Sequence, residues 1–140
     1  MSKGLGSASL DHCNGLPLYP ERPPSHAHLF QGWSSLVLGH VHLVEFFTYP
    51  VNGSATDQHV HTYQGHTSVA VGHFHRFIGR TGCAIPLPDG SHYHDIDAIV
   101  DEEPFEFKKG YYVTVSRIKP HTHEFKGFTG TGLGYEPAEG

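Results

Sequence analysis

Six His-x-His pairs constrain the fold of this chain more than any other feature of its sequence. They stand at His26/His28, His40/His42, His59/His61, His73/His75, His92/His94 and His121/His123. Their starts are separated by 14, 19, 14, 19 and 29 residues, so the alternation sets a period of 33. Residues 26–58 align with 59–91 without a gap, and Gln31/Gln64, Gly32/Gly65, Ser35/Ser68, Gly39/Gly72 and Thr48/Thr81 are identical across the alignment. A third copy begins at His92 but carries Glu106-Phe107-Lys108 where its second pair is expected; the pattern resumes at His121. The sequence therefore predicts three and a half copies of one supersecondary unit, with one degenerate arm.

Each pair lies in strand-like sequence. His73-Phe74-His75-Arg76-Phe77-Ile78, Tyr111 to Val115 and Val41 to Tyr49 are rich in aromatic and β-branched residues. The 19-residue spacings carry Pro50, Asn52 and Gly53 in one copy and Pro86, Pro88, Asp89 and Gly90 in the next, which reads as a hairpin followed by a longer return. With 17 Gly and 10 Pro in 140 residues, and no segment of helical period, the expected fold is all-β. Repeated antiparallel hairpins would form a small barrel or sandwich; a β-solenoid or propeller-like stack is the alternative. Residues 1–25, with Pro20-Glu21-Arg22-Pro23-Pro24, are expected to be an irregular N-terminal arm, either packed through Leu16, Leu18 and Tyr19 or a mobile leader without function. Residues 26–140 form a single repeat domain.

Charge narrows the function classes. The net charge is −5 with neutral histidines, and the 9 Lys and Arg are scattered, so nucleic acid is not an expected partner. No apolar run approaches the ~18 residues of a membrane span, so no membrane partner is expected. The N-terminus lacks the pattern of a secretory signal, and a cytoplasmic location is expected. Protonating all 14 histidines would carry the charge from −5 to +9.

Fourteen histidines would yield roughly 1.4 His-x-His pairs by chance, so six in register call for a chemical reason. On a strand, residues i and i+2 share a face about 6.6 Å apart, and two imidazoles so placed can tilt toward one ion. With a turn centred on Ser34, His26 would face His42 and His28 would face His40. Four imidazoles would then form a tetrahedral or square-planar site, and the second copy would repeat it with His59, His61, His73 and His75. All twelve paired histidines, including His92, His94, His121 and His123, are candidate ligands for Zn²⁺, Cu²⁺ or Ni²⁺. A metal-free His ladder and a pH-responsive interface are the competing explanations. His12, His66 and Trp33 read as surface or packing residues. Glu45, Asp95 and Glu124 read as solvated charge, with a ligand or orienting role as the alternative. Cys13 and Cys83, without C-x-x-C spacing, read as isolated packing residues, with membership of a copper site as the alternative.

These motifs resemble the YmaF family of small bacterial proteins. The resemblance rests on the repeated His-x-His pattern and on Gly before a pair, as in Gly39-His40-Val41-His42 and Gly72-His73-Phe74-His75. It also draws on Arg80-Thr81-Gly82-Cys83-Ala84-Ile85-Pro86 and His121-Thr122-His123-Glu124-Phe125-Lys126-Gly127, and runs over roughly residues 26–131. It implies no reaction or partner. The leading expectation is a metal buffer, store or sensor. A self-assembling homo-oligomer or filament with His or metal contacts is the alternative, and a cupin-like metalloenzyme is less favoured. Glu45 stands too close to its pair for the cupin pattern, and no catalytic constellation is apparent, so no enzyme activity is expected.

Overall fold

A computed structural model describes residues 24–134 and contains, among them, only strands, turns and irregular chain. In chain order these strands are β1 (Ser25–His26), β2 (Leu29–Trp33), β3 (Leu43–Phe47), β4 (Val51–Asn52), β5 (Thr62–His66), β6 (Arg76–Arg80), β7 (Ile85–Pro86), β8 (His92–Tyr93), β9 (Asp95–Ile99), β10 (Phe105–Lys108), β11 (Tyr111–Thr114) and β12 (Glu124–Phe128). Every ladder is two-stranded and antiparallel, so the expectation of an all-β fold of antiparallel hairpins holds. The arm expected over residues 1–25 lies outside the described residues, apart from Pro24 and Ser25, and Ser25 pairs with Asn52 in the β1–β4 ladder.

Three long hairpins, β2–β3, β5–β6 and β9–β12, carry the architecture. Single backbone hydrogen bonds join them in a cycle. Tyr49 N–H donates to Thr62 and Ser68 N–H to Leu43; Gly82 N–H donates to Asp95 and Asp101 N–H to Arg76; Gly130 N–H donates to Leu29 and Ser35 N–H to Glu124. The hairpins thus stand around a common axis and are linked at both ends. Their ladders do not merge into one continuous sheet.

The third copy is complete, contrary to the expected degenerate arm. β9 pairs with β12, and the second His-x-His pair of that copy is His121/His123. Residues around β10–β11 form an inserted hairpin, which lengthens one spacing to 29. The insertion docks by an antiparallel bridge between Phe74 and Phe105 and by stacking of Phe74 on Phe107, with ring centroids 4.2 Å apart.

Inside the cycle, the period-2 alternation of the strands sorts side chains. Phe30, Val44, Phe46, Tyr63, Phe77, Ile96, Val100 and Phe125 meet in one core, with Phe46 stacked on Tyr63 at 4.5 Å. Gly79, opposite Tyr63, makes room for that ring: a Cβ there would lie 2.6 Å from the tyrosine oxygen. The histidines continue the same inward rows past both ends of this core.

Register differs from the sequence expectation. Leu29 pairs with Phe47 and Trp33 with Leu43, so the first hairpin turns at Leu38-Gly39 and not at Ser34. Both turn residues have positive φ, 51° and 80°, and Val71 repeats the conformation at 50° in the second copy. Such a turn matches strand twist and explains the glycine before each of those pairs. The shift moves the two His pairs of one hairpin to opposite ends of the molecule.

Candidate metal centres

The histidines gather in two groups of six, each drawing one His-x-His pair from each copy. One group is His26, His28, His59, His61, His92 and His94; the other is His40, His42, His73, His75, His121 and His123. Within each group one nitrogen per residue lies within 4.8 Å of all the others. The twelve expected ligand candidates are therefore brought together, but the expected four-residue sites are not formed.

In the first group the Nε2 atoms of His26 and His59, His28 and His92, and His59 and His61 are 3.1 Å apart, and those of His26 and His92 are 2.9 Å apart. The second group is slightly wider: His40–His123 and His75–His121 are 3.2 Å apart. His40–His121, His42–His73 and His73–His121 are 3.3 Å apart. The rings lie edge-on to their neighbours, as His26 does to His28, His59, His61 and His92, except that His40 and His123 are tilted at 60°. His94 stands opposite His26, His59 opposite His28 and His92 opposite His61. That is the connectivity of an octahedron, two staggered triangles of nitrogens stacked along the axis.

Edges of this length put the centre about 2.1–2.3 Å from every nitrogen, close to the ~2.0–2.1 Å of a metal–imidazole bond. The tetrahedral or square-planar arrangement expected from one hairpin is replaced because three hairpins contribute, not one.

The opposite edge of each inner ring is fixed by the backbone. His28 donates from Nδ1 to the carbonyl of Gly130, His61 to Tyr49, His94 to Gly82, His42 to Ser68, His75 to Asp101 and His123 to Ser35, each at 2.9 Å. Every one of these acceptors belongs to a neighbouring copy. Hydroxyls tie the same contacts together: Thr81 Oγ1 accepts the backbone N–H of His61 at 3.0 Å and donates to the Gly82 carbonyl at 2.8 Å. Thr48 and Thr129 accept from His28 and His94, while Ser34 and Thr67 accept from His42 and His75. Val100 takes that position in the third copy. In the outer triangles His40, His73 and His121 turn Nδ1 to the carbonyls of Leu38, Val71 and Lys119.

A neutral imidazole has one N–H. With the proton on Nδ1, each such Nε2 presents a bare lone pair to the centre, and facing lone pairs cannot hydrogen-bond to each other. His94 Nε2 is buried with no hydrogen-bond partner among the described residues. Protonating the rings is opposed by burial. Desolvation, with smaller repulsion from neighbouring histidines, pushes His61, His75 and His92 down to about 3 and His26 and His42 down to about 4; it also lowers His28, His73 and His123. The donor set, its spacing and its protonation all fit a transition-metal cation.

Comparison with known proteins fits this repeat. A family model described as "YmaF: Spore germination protein GerY/YamF" matches residues 24–115. The chain belongs to the YmaF family. A Bacillus subtilis (strain 168) member with the name "Uncharacterized protein YmaF" is 47% identical over 133 residues, which covers 89% of this chain and 97% of that one. No solved structure matches.

Other residues singled out in this YmaF-family sequence stand apart from the two centres. Glu45 is exposed and accepts a hydrogen bond from Gln31, and Glu124 is exposed on β12. Asp95 packs against Gly82, and neither it nor those two glutamates belongs to a six-histidine group. His66 packs on Phe74 and Phe107, as a surface residue would. Cys83 is disulfide-bonded, which corrects the expectation of isolated thiols. His12 and Cys13 lie outside the described residues. Sequence reasoning missed the Ser/Thr hydroxyls and Asp57, which accepts from His59 Nδ1 at 2.6 Å. The identity of Thr48 with Thr81 was the available signal for the hydroxyls.

Proposed function

We propose that this protein binds two transition-metal ions per chain in closed six-imidazole centres, and that it buffers, stores or senses metal without catalysing a reaction. The observation that carries the reading is the convergence of six Nε2 atoms in each group, with Nδ1 of every ring except His92 held by a hydrogen bond among the described residues. Between rings whose proton is held on Nδ1, a His ladder without metal lacks the protons it needs. The geometry favours ions that accept six nitrogen donors. Zn²⁺ in structural protein sites is almost always tetrahedral. Among Mn²⁺, Fe²⁺, Co²⁺ and Ni²⁺ the affinity order rises to Ni²⁺, which we take as the leading candidate.

Six protein ligands leave no position for substrate or water, whereas catalytic sites keep one open. This supports a non-catalytic role over the metalloenzyme alternative. Both ligand sets are completed within one chain, so self-assembly is not needed to build them. Among the described residues no helix is long and apolar enough to cross a membrane. The description of the family as a spore germination protein supports testing the role in spores.

Elemental analysis of untagged protein, followed by titration of chelator-stripped protein with Ni²⁺, Co²⁺, Zn²⁺ and Cu²⁺, tests the proposal. Two equivalents are expected, falling to one in His61→Ala and in His75→Ala. A stripped protein that takes up none of the four would overturn it.

A further inference from the structure

The two centres are not equivalent, and the difference traces to one buried carboxylate. At the second centre, His40, His73 and His121 each turn Nδ1 to a backbone carbonyl two residues back. At the first, His26 does the same toward the Pro24 carbonyl at 3.4 Å, but His59 meets the Asp57 side chain, Nδ1 to Oδ1 at 2.6 Å. The carboxylate is itself held in place: Oδ2 accepts from the Ser54 N–H at 2.9 Å and Oδ1 from the His59 N–H at 3.2 Å. Its side chain is only 4% exposed. Two features of the chain make the contact possible. Gln58, between the two partners, adopts φ of 57°, and Gly53 leaves the space that a Cβ, 2.4 Å from His59 Nδ1, would fill.

A carboxylate on the far nitrogen fixes the ring and makes Nε2 a stronger donor. It also brings negative charge beside a site where six neutral ligands leave the charge of the cation unbalanced, and its field reaches His26 and His92 as well. The nitrogen–nitrogen edges point the same way, 2.9–3.1 Å at this centre against 3.2–3.3 Å at the other. Among the described residues no side-chain carboxylate bonds to a ligand imidazole of the second centre.

Resting on the two-site reading above, we infer that Asp57 is a positioning residue that makes the His26/His59/His92 end the high-affinity centre, filled first, and leaves the His40/His73/His121 end as the weaker, exchangeable one. The chain then combines a resident ion with a responsive one.

Competition titration of the stripped full chain with Ni²⁺ against a chelator tests this. Wild-type protein should show two steps, and His61→Ala should remove the tighter one while His75→Ala removes the weaker. Asp57→Asn should weaken the tight step by about 10–100-fold, the usual effect of losing such a partner. The weak step should not move. The Ni²⁺ absorption bands of the first equivalent should shift in Asp57→Asn, and Asp57→Glu should restore part of the affinity. Loss of the weaker step in His61→Ala would overturn the inference without any Asp57 variant. So would an unchanged tight step, or equal weakening of both, in Asp57→Asn. A wild-type chain that binds no Ni²⁺ or other transition metal would instead overturn the two-site reading itself.

Discussion

At the scale of single residues, every candidate ligand imidazole except His92 is oriented by a hydrogen bond on its far side. The hydroxyls that anchor this contact are testable. Thr81→Val should leave the buried His61 N–H without its acceptor and destabilise the metal-free protein by about 1–3 kcal/mol, read from urea unfolding. Proton linkage gives a second expectation. In the unfolded chain the histidines titrate near 6.5, whereas burial holds His61, His75 and His92 at about 3 and His26 and His42 at about 4 in the fold. Between those values the unfolded state binds more protons. Stability from this source is therefore fully present above pH 6.5 and is lost as pH falls toward 4 and 3. Urea midpoints measured with chelator should be level above pH 7 and decline steadily below 6.5; a level profile down to pH 5 would contradict the burial argument. Every histidine of the two six-residue groups was legible in the sequence because His-x-His recurs in register. Asp57 was not, since its role depends on a left-handed Gln58 that no periodicity reveals.

At the scale of elements, the alternation of strand residues was legible and the hairpin register was not. The inward rows read as His, His, aromatic and then small residues, and that pattern survives any placement of the turn. Where the turn falls depends on whether Leu38 and Val71 accept positive φ, which aliphatic residues do reluctantly. Sequence reasoning therefore placed both pairs of a hairpin together when they lie at opposite ends. The insertion misled for another reason: Glu106-Phe107-Lys108 falls at the expected spacing by coincidence. Because β10–β11 contributes no ligand, replacing Phe105–Thr114 with a two-residue turn should keep two metal equivalents per chain. It should lower stability through the uncovering of Phe74, both measurable by titration and thermal melting. A loss of the second centre would show that the insertion shapes it.

At the scale of the whole molecule, each centre gathers ligands from all three copies and closes one end of the cycle. An ion bound there acts on three hairpins at once, and only on the folded chain. At a free-ion level 100 times the dissociation constant, each site should add about 2.7 kcal/mol to stability. Melting temperature should accordingly rise with metal and fall with chelator, more in the wild-type chain than in His61→Ala. The cyclic arrangement was only half legible. A period of 33 announced repeats, but the links between them are single hydrogen bonds such as Ser35 to Glu124, which carry no sequence signature. Enclosure by inner rings that are essentially fully buried also has a kinetic meaning. If an ion fills the Asp57-supported centre with every coordination position taken by protein, an incoming chelator cannot attack it directly, and exchange there would wait for a hairpin to swing away. Residence time at that centre would then be set by the opening rate of the fold, and a cell would find such an ion tightly kept even when equilibrium favours its release.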